Sequence, residues 1–248
     1  MVLSEPRPDL SALTSAEISA LFPTIEREVR VQRSLATIAS VLVDGVAGKA
    51  AVVSSFGAES AVLLALAAEV DPTVPVVFLE TGKHFPETLR YRDRLVETLG
   101  LTGVISVEPD AADLAEADPD GVLWASDTDR CCDVRKVRPL ERALAPFDAW
   151  LTGRKRFQAS TRQTIEPIEW DGRHVKINPL AEWDRDDIAA FMAARDLPAH
   201  SLVAQGFPSI GCMPCTDRVA DGEDPRSGRW RGQGKTECGI HFSRDRAA

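Results

Sequence analysis

The chain has 248 residues, of which 44% are hydrophobic and 27% charged, and its formal net charge is −9. This composition is typical of a globular protein and excludes a disordered chain, while the acidic balance disfavours nucleic acid or an anionic membrane as partner. The N-terminus lacks a basic segment followed by an apolar one, and the longest apolar stretch, near residues 61–70, is too short to span a bilayer. We therefore expect a cytoplasmic protein; a homo-oligomer is compatible with the sequence.

Helical packing segments are predicted over residues 1–45, where SALTSAEISALF and TIEREVRVQRSLATIASVL show helical spacing of Ile, Val and Leu. Short apolar runs then predict strands near 50–54, 74–79, 103–107 and 148–152. Helices are predicted between them, over 59–70, 86–99 and 134–145. Asp184 is the expected N-cap of a further helix, RDDIAAFMAARD.

This alternation predicts an α/β protein with a doubly wound, mostly parallel sheet covered on both faces. Ligands of such sheets bind at the carboxyl ends of the strands. Beyond the last helix, Gly and Pro accumulate in GFPSIGCMPC and DGEDPRSGRWRGQGK. We divide the chain into an N-terminal helical segment (1–45), an α/β domain (46–220) and a mobile C-terminal tail (221–248).

A candidate phosphate loop follows the first strand in VVSSFGAESAVLLAL. A turn of small residues before a helix directs unpaired N–H groups and the positive helix end at an anion. The pattern lacks the Gly-Lys-Ser/Thr ending of a Walker loop. It resembles the S-G-G-x-D-S pyrophosphate loop of adenine-nucleotide α-hydrolases, with Ser55, Gly57 and Ser60 retained, Phe56 for the first glycine and Glu59 for the aspartate. An ordinary strand-to-helix turn is the alternative interpretation.

Polar residues also end the second predicted strand, where Glu80, Thr81 and Gly82 precede KHFPET. At a carboxyl edge beside the first strand, such residues suit recognition of adenosine. Capping of the following helix by Thr81 explains the same residues equally well.

Four of the five cysteines form two pairs: Cys131 with Cys132, and Cys212 with Cys215. Four thiolates hold either tetrahedral zinc or a [4Fe-4S] cluster. Adjacent cysteines place their side chains awkwardly for one small ion, so the spacing favours the wider cluster. A redox-active dithiol at the second pair is a third interpretation, which leaves the first pair unexplained.

Basic residues concentrate at predicted strand ends and in the Gly-rich C-terminal stretch. In an acidic chain this pattern indicates a multiply charged anion, although any one arginine can simply be solvated. The candidates are Lys136, Arg154, Arg162, Arg226 and Arg229. The fifth cysteine, Cys238, follows them in KTECGIH, and positive surroundings would favour the thiolate form that attacks as a nucleophile.

Taken together and in order, SSFGAES, ETGKHFPET, CCDVRKVRPL, TGRKRFQASTR, KINPLAEW, GFPSIGCMPCT, DPRSGRW and KTECGIH resemble the assimilatory adenylyl-sulfate reductases. The resemblance covers about residues 50–241. It implies thioredoxin-dependent reduction of adenosine 5′-phosphosulfate to sulfite and AMP through an S-sulfocysteine on the enzyme. It also implies a [4Fe-4S] cluster on the four paired cysteines.

The resemblance further assigns roles to single residues. Cys238 is the implied nucleophile, and Lys136, Arg162, Arg226 and Arg229 are the implied sulfate ligands. Ser55, Gly57 and Ser60 would hold the α-phosphate side, with Glu80, Thr81 and Gly82 near ribose or adenine. His241, as an imidazolium, would stabilise the thiolate or assist docking of thioredoxin; a polar tail residue without such a role is the alternative.

Some features depart from the family pattern. Glu80 stands where an aspartate is usual, and SSFGAES mixes features of two branches. The branch acting on 3′-phosphoadenosine 5′-phosphosulfate typically lacks both cysteine pairs, so their presence favours the unphosphorylated substrate. More distant alternatives are a pyrophosphate-loop enzyme of RNA thiolation, disfavoured by the acidic surface, and an iron–sulfur sensor in which Cys238 is incidental.

Overall fold

The computed structural model describes residues 14–241, apart from the side chains of residues 15–22. Its centre is a six-stranded sheet in the order β3-β2-β1-β4-β6-β5. The strands are β1 Ala50–Val53, β2 Val76–Leu79, β3 Val104–Val107, β4 Ala149–Thr152, β5 Ile168–Trp170 and β6 Val175–Ile177. All neighbours pair in parallel except β5, which is antiparallel to β6.

Eight helices in the described part of the chain surround the sheet. They are α1 Ser15–Leu42, α2 Ser60–Val70, α3 Pro86–Leu99, α4 Ala111–Ala117, α5 Leu123–Ser126, α6 Thr128–Cys132, α7 Arg138–Leu144 and α8 Arg185–Ala194. A π-helical turn, Asp133–Val137, joins α6 to α7. The described residues include no helix long and apolar enough to cross a membrane.

The side chains of successive strand residues enter two hydrophobic cores, one on each face of the sheet, as expected for a sheet covered on both faces. Val52 and Leu151 face the larger core, which α1, α2, α3 and α8 complete. Ala51 and Trp150 face the smaller one, against α7. The predicted doubly wound, mostly parallel α/β fold is therefore confirmed.

The N-terminal segment differs in detail from its prediction. One helix, α1, runs through Pro23 where two helical stretches are predicted, and residues 11–13 of the first stretch lie outside the described part. Val31 and Ile38 enter the larger core, and Arg30 pairs with Asp187 at 2.7 Å. This helix is thus packing material, as expected, while a domain boundary at residue 45 stays a prediction.

The helix predicted over 134–145 begins earlier, at Thr128, because the Asp127 side chain caps it by accepting from the Arg130 N–H. Pro139 has no backbone N–H, so it cannot donate to the carbonyl four positions before it. In the π turn, the backbone N–H of Arg138 donates to the Asp133 carbonyl, five positions before it. The adjacent cysteines therefore lie inside a helix at an α–π junction. At α8 the predicted cap is confirmed, since Asp184 and Asp187 form a capping box.

Candidate active site

A cavity of about 230 Å³ lies at the carboxyl ends of β1 and β4. The chain order of the sheet reverses between these two strands, which is where ligands of open α/β sheets bind. The phosphate loop (residues 54–59) forms one wall, and residues 225–241 of the predicted tail form another. The structure thus brings two distant segments of the sequence to one edge of the sheet.

Ser55 and Gly57 of the phosphate loop and Ser60 at the start of α2 line the cavity. Binding of the α-phosphate side by these residues stays a prediction. A Cβ at Gly57 would lie 3.3 Å from the Ile210 carbonyl oxygen, so glycine permits the close approach of that segment. α2 begins at Ser60 without a side-chain cap, which leaves its positive end available to an anion.

Phe56 explains the departure from the glycine of the usual loop. Its φ of 48° lies in the left-handed region that glycine adopts without strain, and its side chain is fully buried edge-on against Phe78. Burial of the ring thus offsets the backbone strain.

Replacement Phe56→Ala is expected to lower the free energy of unfolding by about 3 kcal/mol, because it leaves a cavity in the larger core. Urea denaturation measures this change. Val46→Ala at an exposed position is the control, with an expected change within about 0.5 kcal/mol. A loss at Phe56 no larger than that of the control would contradict the packing argument.

The cavity lining is strongly cationic although the chain is acidic. Among the described residues, seven lysine and arginine side chains line it against two carboxylates, Glu59 and Glu237. The cations are Lys136, Arg154, Lys155, Arg162, Arg185, Arg226 and Arg229. This excess fits a multiply charged anion, and it includes all five basic residues predicted from the sequence.

Ion pairs hold part of this charge in place. Lys155 is buried and donates to Glu59 at 2.8 Å, and Gln158 donates to the same carboxylate oxygen at 2.8 Å. Arg154 is buried, pairs with Glu169 and donates to Asn178. Sequence reasoning missed the Glu59–Lys155 pair, because only the fold brings residues 59 and 155 together.

Arg162 and Arg226 meet at the carboxylate of Glu237. Arg162 donates from Nε to Oε1 at 2.6 Å and from Nη2 to Oε2 at 2.8 Å, and Arg226 Nη2 lies 3.5 Å from Oε2. Burial and the neighbouring Arg162 lower the pKa of Arg226 to about 10, so it stays charged at neutral pH. Burial raises the pKa of Glu237, but the hydrogen bond and charge of Arg162, together with the charges of Arg226 and Arg154, outweigh burial and lower it. The only sequence signal for Glu237 is its place directly before Cys238.

The four paired cysteines are buried and lie in one region, from which Cys212 also lines the cavity. Cys132, Cys212 and Cys215 pack with Trp230 in one apolar cluster, and the proximity of Cys131 to Cys132 adds to the burial that raises its pKa to about 11. All five cysteines of the chain are free of disulfides. The described residues contain no group of three Cys, His or carboxylate side chains placed to hold one metal ion.

Cys238 packs at the margin of this cysteine cluster and also lines the cavity. Lys136, in the π turn, also lines the cavity, and its charge lowers the pKa of Cys212 against the effect of burial. In turn, the sulfurs of Cys212 and Cys238 raise the pKa of Lys136 although burial opposes them. One ammonium group therefore interacts both with the cysteine cluster and with the candidate nucleophile.

His241 is anchored at the far end of the cavity. Its ring stacks on Trp150 with centroids 5.6 Å apart, and Lys176 Nζ donates to its backbone carbonyl at 3.0 Å. Burial and the charge of Arg154 hold the pKa of His241 well below its usual range, so the ring is neutral at pH 7. The neutral ring favours the alternative interpretation, in which His241 does not act as an imidazolium, and its stacking on Trp150 anchors the tail. Sequence reasoning did not predict Lys176 as part of the site, although it lies in the KINPL motif.

Of the three residues predicted to lie near ribose or adenine, only Thr81 lines the cavity. Its hydroxyl lies 3.4 Å from Cys212 Sγ. Glu80 and Gly82 are absent from the lining, and Glu80 Oε1 instead accepts the Gly82 N–H at 3.0 Å. These two residues shape the turn after β2.

Comparison with known proteins agrees with this site. A profile described as phosphoadenosine phosphosulfate reductase domain matches residues 49–218. Adenosine 5′-phosphosulfate reductase of Mesorhizobium japonicum is 60% identical over 193 residues, which cover 78% of this chain and 76% of that protein. Phosphoadenosine 5′-phosphosulfate reductase of Gloeobacter violaceus is 47% identical over 203 residues, which cover 78% and 82%.

The fold has a solved counterpart in phosphoadenylyl-sulfate (PAPS) reductase from Candida auris, crystallised as a phosphate complex. The TM-score is 0.64 at 24% identity, over 84% of this chain and 98% of that chain. This likeness supports the architecture, and the sequence matches carry the family assignment. The chain belongs to the phosphoadenosine phosphosulfate reductase family.

Proposed function

We propose that the protein reduces adenosine 5′-phosphosulfate to sulfite and AMP, with thioredoxin as the electron donor, in assimilatory sulfate reduction. One observation carries the proposal: the thiol of Cys238 lines a cationic cavity that the phosphate loop also lines. Relatives bearing the name of this activity, at up to 60% identity, support it.

The reaction begins with attack of the Cys238 thiolate on the sulfur of the sulfate group. The bond from sulfur to the bridging oxygen breaks, AMP leaves with that electron pair, and an S-sulfocysteine remains. Both reactants are anionic, so cations must neutralise the charge that accumulates between them. Lys136, Arg226 and Arg229 supply positive charge at this end of the cavity, while α2 receives the phosphate at its N-terminus.

Thioredoxin then completes the cycle by thiol–disulfide chemistry. Its thiolate attacks the Cys238 sulfur, and sulfite leaves with the electrons of the broken S–S bond. A mixed disulfide between the two proteins results, and the second thiol of thioredoxin attacks it. Cys238 is regenerated, and thioredoxin leaves as a disulfide. The partner thus supplies the two electrons of the reduction.

Cys131, Cys132, Cys212 and Cys215 fit a [4Fe-4S] cluster. Four buried thiols in one region match its ligand number, and cysteine thiolates are its usual ligands. When bound, the cluster supplies a charged group that tunes the electrostatic field at the site. Thr81 contacts Cys212, and Lys136 interacts with Cys212 from the lining of the cavity.

Reduction of 3′-phosphoadenosine 5′-phosphosulfate is the alternative activity, favoured by the name of the relative from Gloeobacter violaceus. The presence of both cysteine pairs argues for the unphosphorylated substrate. Since the two nucleotides differ only at the 3′ position, direct comparison decides between them.

Steady-state release of sulfite from each nucleotide, with thioredoxin in excess, tests the proposal. We expect kcat/KM for adenosine 5′-phosphosulfate to exceed that for the 3′-phosphorylated form by at least about tenfold, or 1.4 kcal/mol. Omission of thioredoxin is the control and should abolish turnover. A preference for the 3′-phosphorylated form would favour the alternative activity, and no sulfite from either nucleotide would refute both.

A further inference from the structure

All three nitrogens of the Arg162 guanidinium donate to side chains within the protein. Nε and Nη2 donate to the two oxygens of Glu237, and Nη1 donates to Gln158 Oε1 at 2.6 Å. Each nitrogen of this guanidinium therefore has a protein acceptor. A bidentate pair of this kind is the geometry by which arginine also holds sulfate and phosphate groups.

Arg226 faces the same carboxylate from the other side. Its Nη2 donates to the Thr236 carbonyl at 2.8 Å and lies 3.5 Å from Glu237 Oε2. The Glu237 side chain is only 8% exposed, so water screens this arrangement weakly. Two cations assigned to the substrate anion thus hold an internal anion instead.

An incoming sulfate cannot use the edge of Arg162 formed by Nε and Nη2 while Glu237 occupies that edge. If the carboxylate stayed, two anions would lie within a few ångströms in a poorly screened site, which is unfavourable. The carboxylate must therefore move, or its charge must weaken binding of the substrate. Since Glu237 directly precedes Cys238, movement of its side chain acts on the segment that carries the nucleophile.

We propose that Glu237 is an internal competitor for the sulfate site, which holds the tail closed on Arg162 and Arg226 until the sulfate group of the substrate displaces it. This inference rests on the proposed function and adds a control of substrate entry to it. Gln158 links Arg162 to Glu59 at the start of α2, so the competing carboxylate is connected to the phosphate loop as well.

A role of Glu237 as a clamp on the tail predicts the opposite change in substrate affinity. If the carboxylate only clamps the tail over bound substrate, its removal weakens binding. If it competes with the sulfate group, its removal tightens binding, and only for ligands that carry that group. The sign of the change in affinity therefore separates the two roles.

The test uses calorimetry on the full-length holoprotein carrying Cys238→Ser, which stops the chemistry. Adding Glu237→Gln is expected to lower the Kd for adenosine 5′-phosphosulfate at least about fivefold, at the lower end of typical coupling between two ligands. The Kd for AMP, which lacks the sulfate, should stay within about twofold.

Glu223→Gln is the matched control. It removes the same charge from the tail and breaks an ion pair of 3.1 Å with Arg231, but Glu223 is absent from the cavity lining. We expect it to leave both Kd values unchanged. Glu237→Asp retains the charge with a shorter reach and should tighten binding less than Gln does, which keeps the test decisive if one variant folds poorly.

An unchanged or raised Kd for adenosine 5′-phosphosulfate in Glu237→Gln would overturn the inference, as would equal tightening for AMP. Failure of the proposed function has a different signature: the Cys238→Ser parent would then bind adenosine 5′-phosphosulfate no more tightly than an unrelated nucleotide such as GMP. The two failures are therefore distinguishable in one set of titrations.

Discussion

Replacement Cys238→Ser is expected to lower the rate of sulfite formation by at least about 10⁴-fold, the scale seen when a covalent nucleophile is removed. Serine keeps the size of the side chain, but its hydroxyl is a poor nucleophile without a neighbouring base. The cavity and its cations are unchanged, so the Kd for adenosine 5′-phosphosulfate should stay within about threefold. Sulfite assays and calorimetry measure the two quantities.

A large loss of rate with an unchanged Kd is specific for the loss of a nucleophile. A fold defect would weaken binding of AMP as well, so the AMP titration is the control. Residual sulfite formation within tenfold of the unchanged protein would contradict the covalent mechanism. A large loss of affinity would instead place Cys238 in substrate binding.

Replacement Cys212→Ser is expected to remove most of the iron and to lower activity at least about 100-fold, since loss of a ligand exceeds the effect of second-shell changes. Cys212 is the paired cysteine that both lines the cavity and contacts Thr81. Its loss therefore disturbs the cluster site and the wall facing the substrate together. Iron and sulfide analysis of anaerobically purified protein measures the first effect.

Cys238→Ser is the matched control for this variant, because the same substitution at the fifth cysteine should leave about four irons per chain. The two variants then show opposite patterns: full iron without chemistry at 238, and depleted iron at 212. Full iron content in Cys212→Ser would contradict its assignment as a ligand. Equal depletion in both would contradict the separation of cluster cysteines from nucleophile.

Local patterns predicted the central strands and the phosphate loop because their signals are contiguous. AAVVS and VPVVFL are short apolar runs between helical segments, and buried parallel strands need little else. The strands β5 and β6 were missed because each has three residues and β5 is an exposed edge strand. The earlier start of the helix with the cysteine pair depends on a cap, which a periodicity argument does not detect.

At the site, residue type predicted which side chains bear charge, and tertiary structure decided how the charge is used. Arg162 was assigned to sulfate from its motif, but its pairing with Glu237 joins residues 75 positions apart. The ionisation state of His241 depends on burial and on Arg154, neither of which the KTECGIH motif contains. Sequence reasoning thus predicted the members of the site better than their states.

Covalent catalysis by Cys238 is tested most directly by mass spectrometry of anaerobically purified protein incubated with adenosine 5′-phosphosulfate in the absence of thioredoxin. We expect one sulfonate adduct per chain, on the peptide containing Cys238. It should form faster than with the 3′-phosphorylated nucleotide and be released as sulfite when thioredoxin is added. No adduct on that peptide with either nucleotide, from protein with its iron content intact, would contradict covalent catalysis by Cys238.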